Sequence, residues 1–416
     1  MRNLVITILV FGLIILFCKS ASATSYHIYS GDNLANTITN NTCSWDVVYI
    51  HEGVHTLDAD VNISGKSLPI VGDGSDKTII LLDDHIFRFY KTKNNNNPMI
   101  VTISGITFKN SKTGESIYFE NYIPQTSMDI VISDCKFDNI GDVAFISAVY
   151  EIRDYKRTIN RCDIYYGQSS PIEINSENKK DNNYTSMTVK IVDSNFFNSG
   201  NLTVYSFSPE SKIDFKLSNS VLRNNTTGIQ IFGPVTMYLN NNLIVRNFKG
   251  VLLDSENSIG FLHNNTIDSN GESNGYGIYN RGTLNLENNI ISNNNYGIYN
   301  DGQITQSNNI LWNNQSNSFT SQEDFFLFDP NFTIGPNGEY YLREHSEAID
   351  RGSNSASYFN LNSRTTSLYG KLDRGVVDLG YHYPSKYKLS LLDRLMSILI
   401  LDNFISFTIV KRSDED

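Results

Sequence analysis

The chain has 416 residues, 40% of them hydrophobic and 19% charged, and its 24 Tyr and 23 Phe supply ample material for a large core. A formal net charge of −11 argues against a nucleic-acid partner, because phosphate binding needs a basic face. Four cysteines without a CxxC or a Cys/His cluster give a zinc site no support, and no metal is expected.

From the N-terminus, Met1-Arg2-Asn3 precedes an apolar run over residues 4–17 and then Ala21-Ser22-Ala23. This small-residue pattern predicts a secretory signal peptide over residues 1–23, a mature chain starting near Thr24, and a secreted or cell-surface location. An uncleaved anchor is the alternative. A lipoprotein modified at Cys18 fits poorly, because Phe17 stands where a small residue is required.

Residues 24–95 read as an N-terminal cap and first coils. Asp46-Val47-Val48-Tyr49-Ile50-His51-Glu52-Gly53-Val54-His55 and Ser67-Leu68-Pro69-Ile70-Val71-Gly72-Asp73-Gly74 are short strands broken by glycine turns. Over residues 96–315 one phrase recurs: an apolar residue, a polar pair, an aliphatic or aromatic residue, then Asn. Ile132-Ser133-Asp134-Cys135-Lys136-Phe137-Asp138-Asn139 and Leu286-Glu287-Asn288-Asn289-Ile290-Ile291-Ser292-Asn293 are two copies. With the third residue as marker, Asn219, Asn241, Asn264, Asn288 and Asn308 lie 22, 23, 24 and 20 residues apart. Helical solenoids repeat at roughly 33 to 47 residues with a 3.6-residue apolar period, and the leucine pattern of leucine-rich repeats is missing. The period predicts an all-β, single-stranded parallel β-helix, a β-solenoid in which each turn pairs with its neighbours.

Equivalent residues of adjacent turns sit about 4.8 Å apart. Phe108, Phe137, Phe196, Leu222, Ile244, Ile267, Ile291 and Leu311 are therefore expected as one internal apolar column. The marker column, Asp134, Asp193, Asn219, Asn241, Asn264, Asn288 and Asn308, is expected to stack as a hydrogen-bonded side-chain ladder with a structural role. Gly-Ile-Tyr-Asn at residues 277–280 and 297–300 marks a second strand and a corner where Gly permits a positive φ. Cys135 and Cys162 share a register one 27-residue turn apart, which suits either a disulfide or a buried pair of free thiols.

Marker steps are longer in the first half, 29, 27, 32 and 26 residues from Gly105 through Asp134, Arg161 and Asp193 to Asn219, so the extra residues must bulge out as loops. These insertions hold Tyr118, Tyr122, Tyr155 and Tyr166, candidates for stacking on sugar rings in a shallow polymer groove; the alternative is that they pack the loops onto the coil. The run Glu151-Ile152-Arg153-Asp154-Tyr155-Lys156-Arg157 concentrates charge. Arg153 and Lys156, with Asp154 beside them, are the candidates for base and charge stabiliser of a lyase, against the plainer reading of a solvated loop.

The first coils resemble those of secreted right-handed parallel β-helix proteins of the pectate-lyase-like kind, with His55 where that family usually has Tyr. The C-terminal region matches too, in Asp329-Pro330-Asn331-Phe332, Tyr340-Tyr341-Leu342, Ser346-Glu347-Ala348-Ile349-Asp350-Arg351-Gly352 and Val377-Asp378-Leu379-Gly380-Tyr381, the pattern of C-terminal coils in surface β-helix proteins. The resemblance implies a right-handed coil and further coils over residues 316–384. It implies little about chemistry, because the scaffold hosts lyases, hydrolases, esterases, epimerases and adhesins. The signatures of polygalacturonases, pectin methylesterases and alginate epimerases are not found beyond an isolated Asp83-Asp84. Residues 385–416 read as a tail that caps the solenoid or anchors it to a surface.

The expectation is a monomeric, secreted or cell-surface β-helix that binds polysaccharide or envelope glycan, or serves a structural or adhesive role, without a cofactor. The alternative is a polysaccharide lyase or glycoside hydrolase working in a groove over residues 105–200, with Ca²⁺ entering as charge neutraliser if it is a lyase.

Overall fold

The computed structural model describes residues 23–91, 98–112, 115–121, 127–147, 154–166, 172–176, 186–207, 211–272, 275–318 and 324–385. Residues 1–22 of the predicted signal peptide over residues 1–23 and the tail beyond residue 385 lie outside the described residues, as do Tyr122 and Arg153. The chain divides into two compact units, residues 1–330 with 379–381, and residues 331–378 with 382–416.

The first unit is a parallel β-solenoid. Among the described residues it has three sheets: sheet A of 12 strands from Ser25–Ile28 to Gln303–Ser307, sheet B of 11 from Gly53–Thr56 to Ile310–Trp312, and sheet C of 11 from Val61–Ser64 to Ser316–Ser318. After the first pair of sheet A, whose strands are consecutive in the chain, sheet neighbours come three strands apart, and their pairing is parallel, as a coil adding one strand to each sheet per turn requires. Leu34, Ala35 and Ile38 of the short helical segment Leu34–Asn36 and Thr37–Asn41 join the same apolar core. Asn33 caps that segment by accepting from the Asn36 N–H at 2.7 Å.

The expected internal column is present in sheet B, where Ile80, Phe108, Phe137, Ile164, Phe196, Leu222, Ile244, Ile267, Ile291 and Leu311 pair rung by rung, all buried. His55 heads it opposite Ile80, buried, its Nε2 2.9 Å from the His51 carbonyl.

The expected marker column is hydrogen-bonded in part, with Asn241 Nδ2 donating to Asn219 Oδ1 at 2.9 Å, and a continuous ladder runs one residue beyond it. Asp134, Asp193, Asn219, Asn241, Asn264, Asn288 and Asn308 all have left-handed backbone, φ between 49° and 59°, so the marker makes the bend. Asn tolerates this conformation better than most residues. The bend turns the next side chain inward, and there Asn242, Asn265, Asn289 and Asn309 form the ladder, linked by amide bonds of 3.0, 2.9 and 2.9 Å. A second ladder runs through Asn225, Asn247, Asn270, Asn294 and Asn314, each one residue beyond another left-handed position.

Gly277 is likewise not a positive-φ corner. It lies in the strand Tyr276–Asn280, where an added Cβ would come within 2.7 Å of the Gly297 carbonyl and 2.8 Å of the Asn294 amide carbon. Its role is to make room for the second ladder.

Cys135 and Cys162 occupy first-ladder positions in earlier turns, in the place that Ser194 and Ser220 take next. Both are buried free thiols, and Cys43 is free and exposed. Cys135 Sγ lies 3.2 Å from the Ser133 carbonyl and Cys162 Sγ 3.5 Å from the Asn160 carbonyl, the same two-residue back-bond that Ser194 makes to Val192 at 2.9 Å. Burial first, then the neighbouring Cys162 thiol, pushes the Cys135 thiol well above its ordinary pKa. A buried thiol held protonated is unreactive.

The second unit contains two small antiparallel pairs, Phe332–Gly335 with Gly338–Leu342 and Arg364–Thr365 with Tyr383–Pro384. Residues 331–378 therefore do not supply the further coils expected over residues 316–384. Among the described residues the alternation of inward apolar side chain, left-handed Asn and inward Asn ends at Asn313-Asn314, and beyond it sheet B continues only as the parallel bridge of Ile310 to Phe326.

Candidate functional site

Of the tyrosines predicted to line a groove, Tyr166 is 58% exposed at a left-handed corner, whereas Tyr118 is 6% exposed on the sheet C strand Glu115–Asn121. Tyr155 and Asp154 belong to the sheet A strand Asp154–Asn160, and Lys156 on the same strand is exposed. This part of the charged run is thus strand rather than solvated loop. Arg157 points inward, 1% exposed, in register between Ile130 and Val189 of the core.

The strand period of two aims alternate residues of sheet A at solvent. In Lys212–Ser218, the residues Ile213, Phe215 and Leu217 are buried while Lys212 and Lys216 are exposed. Lys190 is exposed on the preceding strand, directly opposite Lys216, and Lys156 lies one strand earlier. None of Lys156, Lys190, Lys212 and Lys216 forms an ion pair among the described residues, although the chain as a whole is acidic. Like charges directly opposite on neighbouring strands are destabilising.

The row continues from Lys216 to Tyr238 and Phe261. The Lys216 ammonium lies 5.3 Å from the Tyr238 ring centroid, and Tyr238 stacks on Phe261 at 5.1 Å. A second aromatic group, Tyr276, Tyr279, Tyr296 and Tyr299, lies on sheet C in the two Gly-Ile-Tyr-Asn strands, with Tyr279 and Tyr299 stacked at 5.4 Å. Tyr279 and Tyr299 cover each other's faces along the axis, whereas Tyr276 meets Tyr279, Tyr296 and Tyr299 at 40° to 61°. The outer face of sheet A thus carries Lys156, Lys190, Lys212 and Lys216, with Asp214 between the last two and Asp129 bonded to the Lys156 N–H.

In the second unit a cleft of about 590 Å³ is lined by Arg343, His345, Tyr369, Lys371 and Arg374, with Asp373 and Asp378 at its edge. Asp373, Asp378 and His382 bring three potential metal-ligand atoms together, all three residues buried. Their lone pairs serve the protein itself. Asp373 Oδ2 accepts from the Asp378 N–H at 2.9 Å and pairs with His382 Nε2 at 2.7 Å. Asp378 accepts the Asp350 N–H at 2.8 Å and meets the Thr366 hydroxyl. This network ties Ala348-Ile349-Asp350 to Val377-Asp378, two of the stretches that carry the family resemblance, and its role is structural.

Burial first, then the Asp373 charge, raises the Asp378 pKa. A raised folded pKa gives stability that is present below the unfolded value near 3.9 and is lost as pH rises through the folded value. In Asp378→Asn the amide keeps an oxygen for the Asp350 N–H and turns its NH₂ toward Thr366. Chemical denaturation at pH 4 and pH 7 should show a smaller loss of stability on going to pH 7 in this variant than in the parent; an equal loss would refute the assignment.

No known protein family matches the sequence, and no curated relative was found. Among solved structures the chain is similar to the PL6 family alginate lyase AlyGC, at 14% identity and TM-score 0.35, covering 77% of this chain and 56% of that one. An arginine-to-alanine mutant of the same enzyme gives 13% and 0.36 over the same shares. A mannuronic acid specific polysaccharide family 6 lyase from human gut microbiota gives 12% and 0.25, covering 74% of this chain and 91% of that one. The chain thus spans little more than half the length of AlyGC.

Proposed function

We propose that the protein is a secreted β-solenoid that binds an acidic polysaccharide along the outer face of sheet A. The observation that carries this reading is the cluster of Lys156, Lys190, Lys212 and Lys216 on three adjacent strands, with Lys190 and Lys216 directly opposite one another in a chain of net charge −11. Such a row costs stability in the free protein and recovers it when a polyanion lies across it. Rungs about 4.8 Å apart set charges at intervals that an extended polyuronate can follow. The signal-like N-terminus supports an extracellular location, where such polymers occur.

Affinity electrophoresis should show retardation by a polyuronate, weakened by salt, and none by a neutral glucan. Lys190→Glu with Lys216→Glu should weaken polyuronate binding about 10- to 100-fold, or 1.4 to 2.8 kcal/mol, at unchanged melting temperature. Equal binding by parent and double variant would refute the reading. Accumulation of unsaturated uronate ends during the assay would replace binding by the lyase alternative, with Lys156 the described residue of its predicted pair.

A further inference from the structure

The first two turns carry a group of rings that the polysaccharide reading does not use. His27 stands on the first strand of sheet A and His51 just after the second, both with side chains on the outer face. His27 Nδ1 and His51 Nε2 face each other at 2.9 Å. The other nitrogen of His51, Nδ1, lies 3.2 Å from Asp73 Oδ2 on the next turn, and the Glu52 N–H fixes the same oxygen at 2.9 Å. Both imidazoles are clamped by stacking: His27 on Tyr49 at 5.1 Å and His51 on Tyr29 at 4.4 Å.

Asp73 can only accept, so it holds the proton of neutral His51 on Nδ1 and leaves a lone pair on Nε2 directed at His27. A carboxylate on the back nitrogen of a histidine whose front nitrogen meets a second histidine is the arrangement that orients metal-bound imidazoles. The His27 and His51 rings lie 10° from parallel with centroids 5.2 Å apart. At Zn–N distances of about 2.0–2.1 Å, two nitrogens on a tetrahedral ion are about 3.3 Å apart, so the pair must open by a few tenths of an ångström and the rings tilt until both lone pairs converge.

We propose that His27 Nδ1 and His51 Nε2 form a two-histidine site for a borderline divalent transition-metal ion such as Zn²⁺ or Cu²⁺, with Asp73 as its orienting carboxylate. Imidazole nitrogens suit these ions rather than Ca²⁺ or Mg²⁺. On binding, the proton on His27 Nδ1 leaves to solvent and another is taken up at the water-facing Nε2, so the neutral ring is kept. Two protein ligands leave the remaining coordination positions to water or to an oxygen ligand from outside.

Zn²⁺ titration of the full chain against a chromogenic chelator should show one competing site in the parent. That site should be lost in His27→Ala and in His51→Ala and weakened about 10- to 100-fold in Asp73→Asn. Cu²⁺ bound to the parent should show nitrogen hyperfine coupling from two imidazoles in its electron paramagnetic resonance spectrum. The substituted side chains lie on the surface, and an unchanged circular dichroism spectrum confirms the fold. Equal Zn²⁺ binding by the parent and the His27→Ala/His51→Ala double variant, or a parent that does not compete with the chelator, overturns the site. An Asp73→Asn variant binding as tightly as the parent overturns the orienting role.

Discussion

Replacing Asn265 by Ala is expected to cost about 3–5 kcal/mol, far more than the loss of one side chain on a surface turn. Its Oδ1 accepts from the Asn242 N–H at 2.8 Å and from Asn242 Nδ2 at 3.0 Å, while its own Nδ2 donates to the Leu239 carbonyl at 2.8 Å and to Asn289 Oδ1 at 2.9 Å. All of this is buried, Asn265 itself at 0% exposure. Truncation strips this partner from groups on the turns above and below, and each buried polar group left unsatisfied costs about 1–3 kcal/mol. The neighbouring Asn264 is the control. Its φ of 54° suits glycine, so Asn264→Gly should cost less than about 1 kcal/mol although it lies one residue away. Urea denaturation followed by far-ultraviolet circular dichroism compares the two. Equal midpoints would mean that the inward amide contributes no more than its neighbour.

This pair also explains why the sequence led to the right fold but to only the outer of two adjacent side-chain columns. The apolar column was legible because Phe137, Ile267 and Ile291 recur at a regular period, always five residues after the apolar residue that opens the phrase. Asn241-Asn242, Asn264-Asn265 and Asn288-Asn289, by contrast, set two identical side chains side by side, the first at the left-handed bend and the second turned inward to bridge turns. The earlier turns held the signal that separates them. There the first of the pair varies among Asp134, Arg161 and Asp193, while the second is Cys135, Cys162 and Ser194, and in the turn before them Gly105 is followed by the buried Ile106. A bend accepts many side chains; the inward corner takes a side chain that either packs in the core, as Ile106 does, or back-bonds the turn, as Ser194 does.

The lysine face was half legible. The alternation of Lys212, Asp214 and Lys216 with Ile213 and Phe215 is a strand pattern on its own, but only the register sets Lys190 opposite Lys216. Tyr118 shows the converse error, since an aromatic residue in an inserted stretch reads as exposed until the sheet that contains it is known. His27, His51 and Asp73 come from three successive turns and carry no common motif, and their convergence could be seen only in space.

Replacing Ile267 by Asp is expected to break the solenoid. Ile267 is fully buried between Ile244 and Ile291, so the change removes a core side chain worth about 2–5 kcal/mol. It also forces a carboxyl into the column. Keeping that group neutral at pH 7, about three units above its unfolded pKa, adds about 4 kcal/mol. The sum approaches the whole stability of an ordinary domain, about 5–15 kcal/mol. A solenoid turn is supported by its neighbours alone, so the damage should spread along the axis from that turn. Hydrogen exchange should lose protection first in the strands Leu243–Val245, Thr266–Asp268 and Ile290–Ser292, while the first turns keep theirs. Ile267→Val, which removes one methylene, should cost only about 0.5–1.5 kcal/mol. Because the introduced carboxyl has its pKa raised by folding, the Asp variant should regain part of its stability below about pH 4, where the unfolded group is protonated as well. A variant whose melting and exchange match those of the parent at pH 7 would mean that position 267 does not face the core.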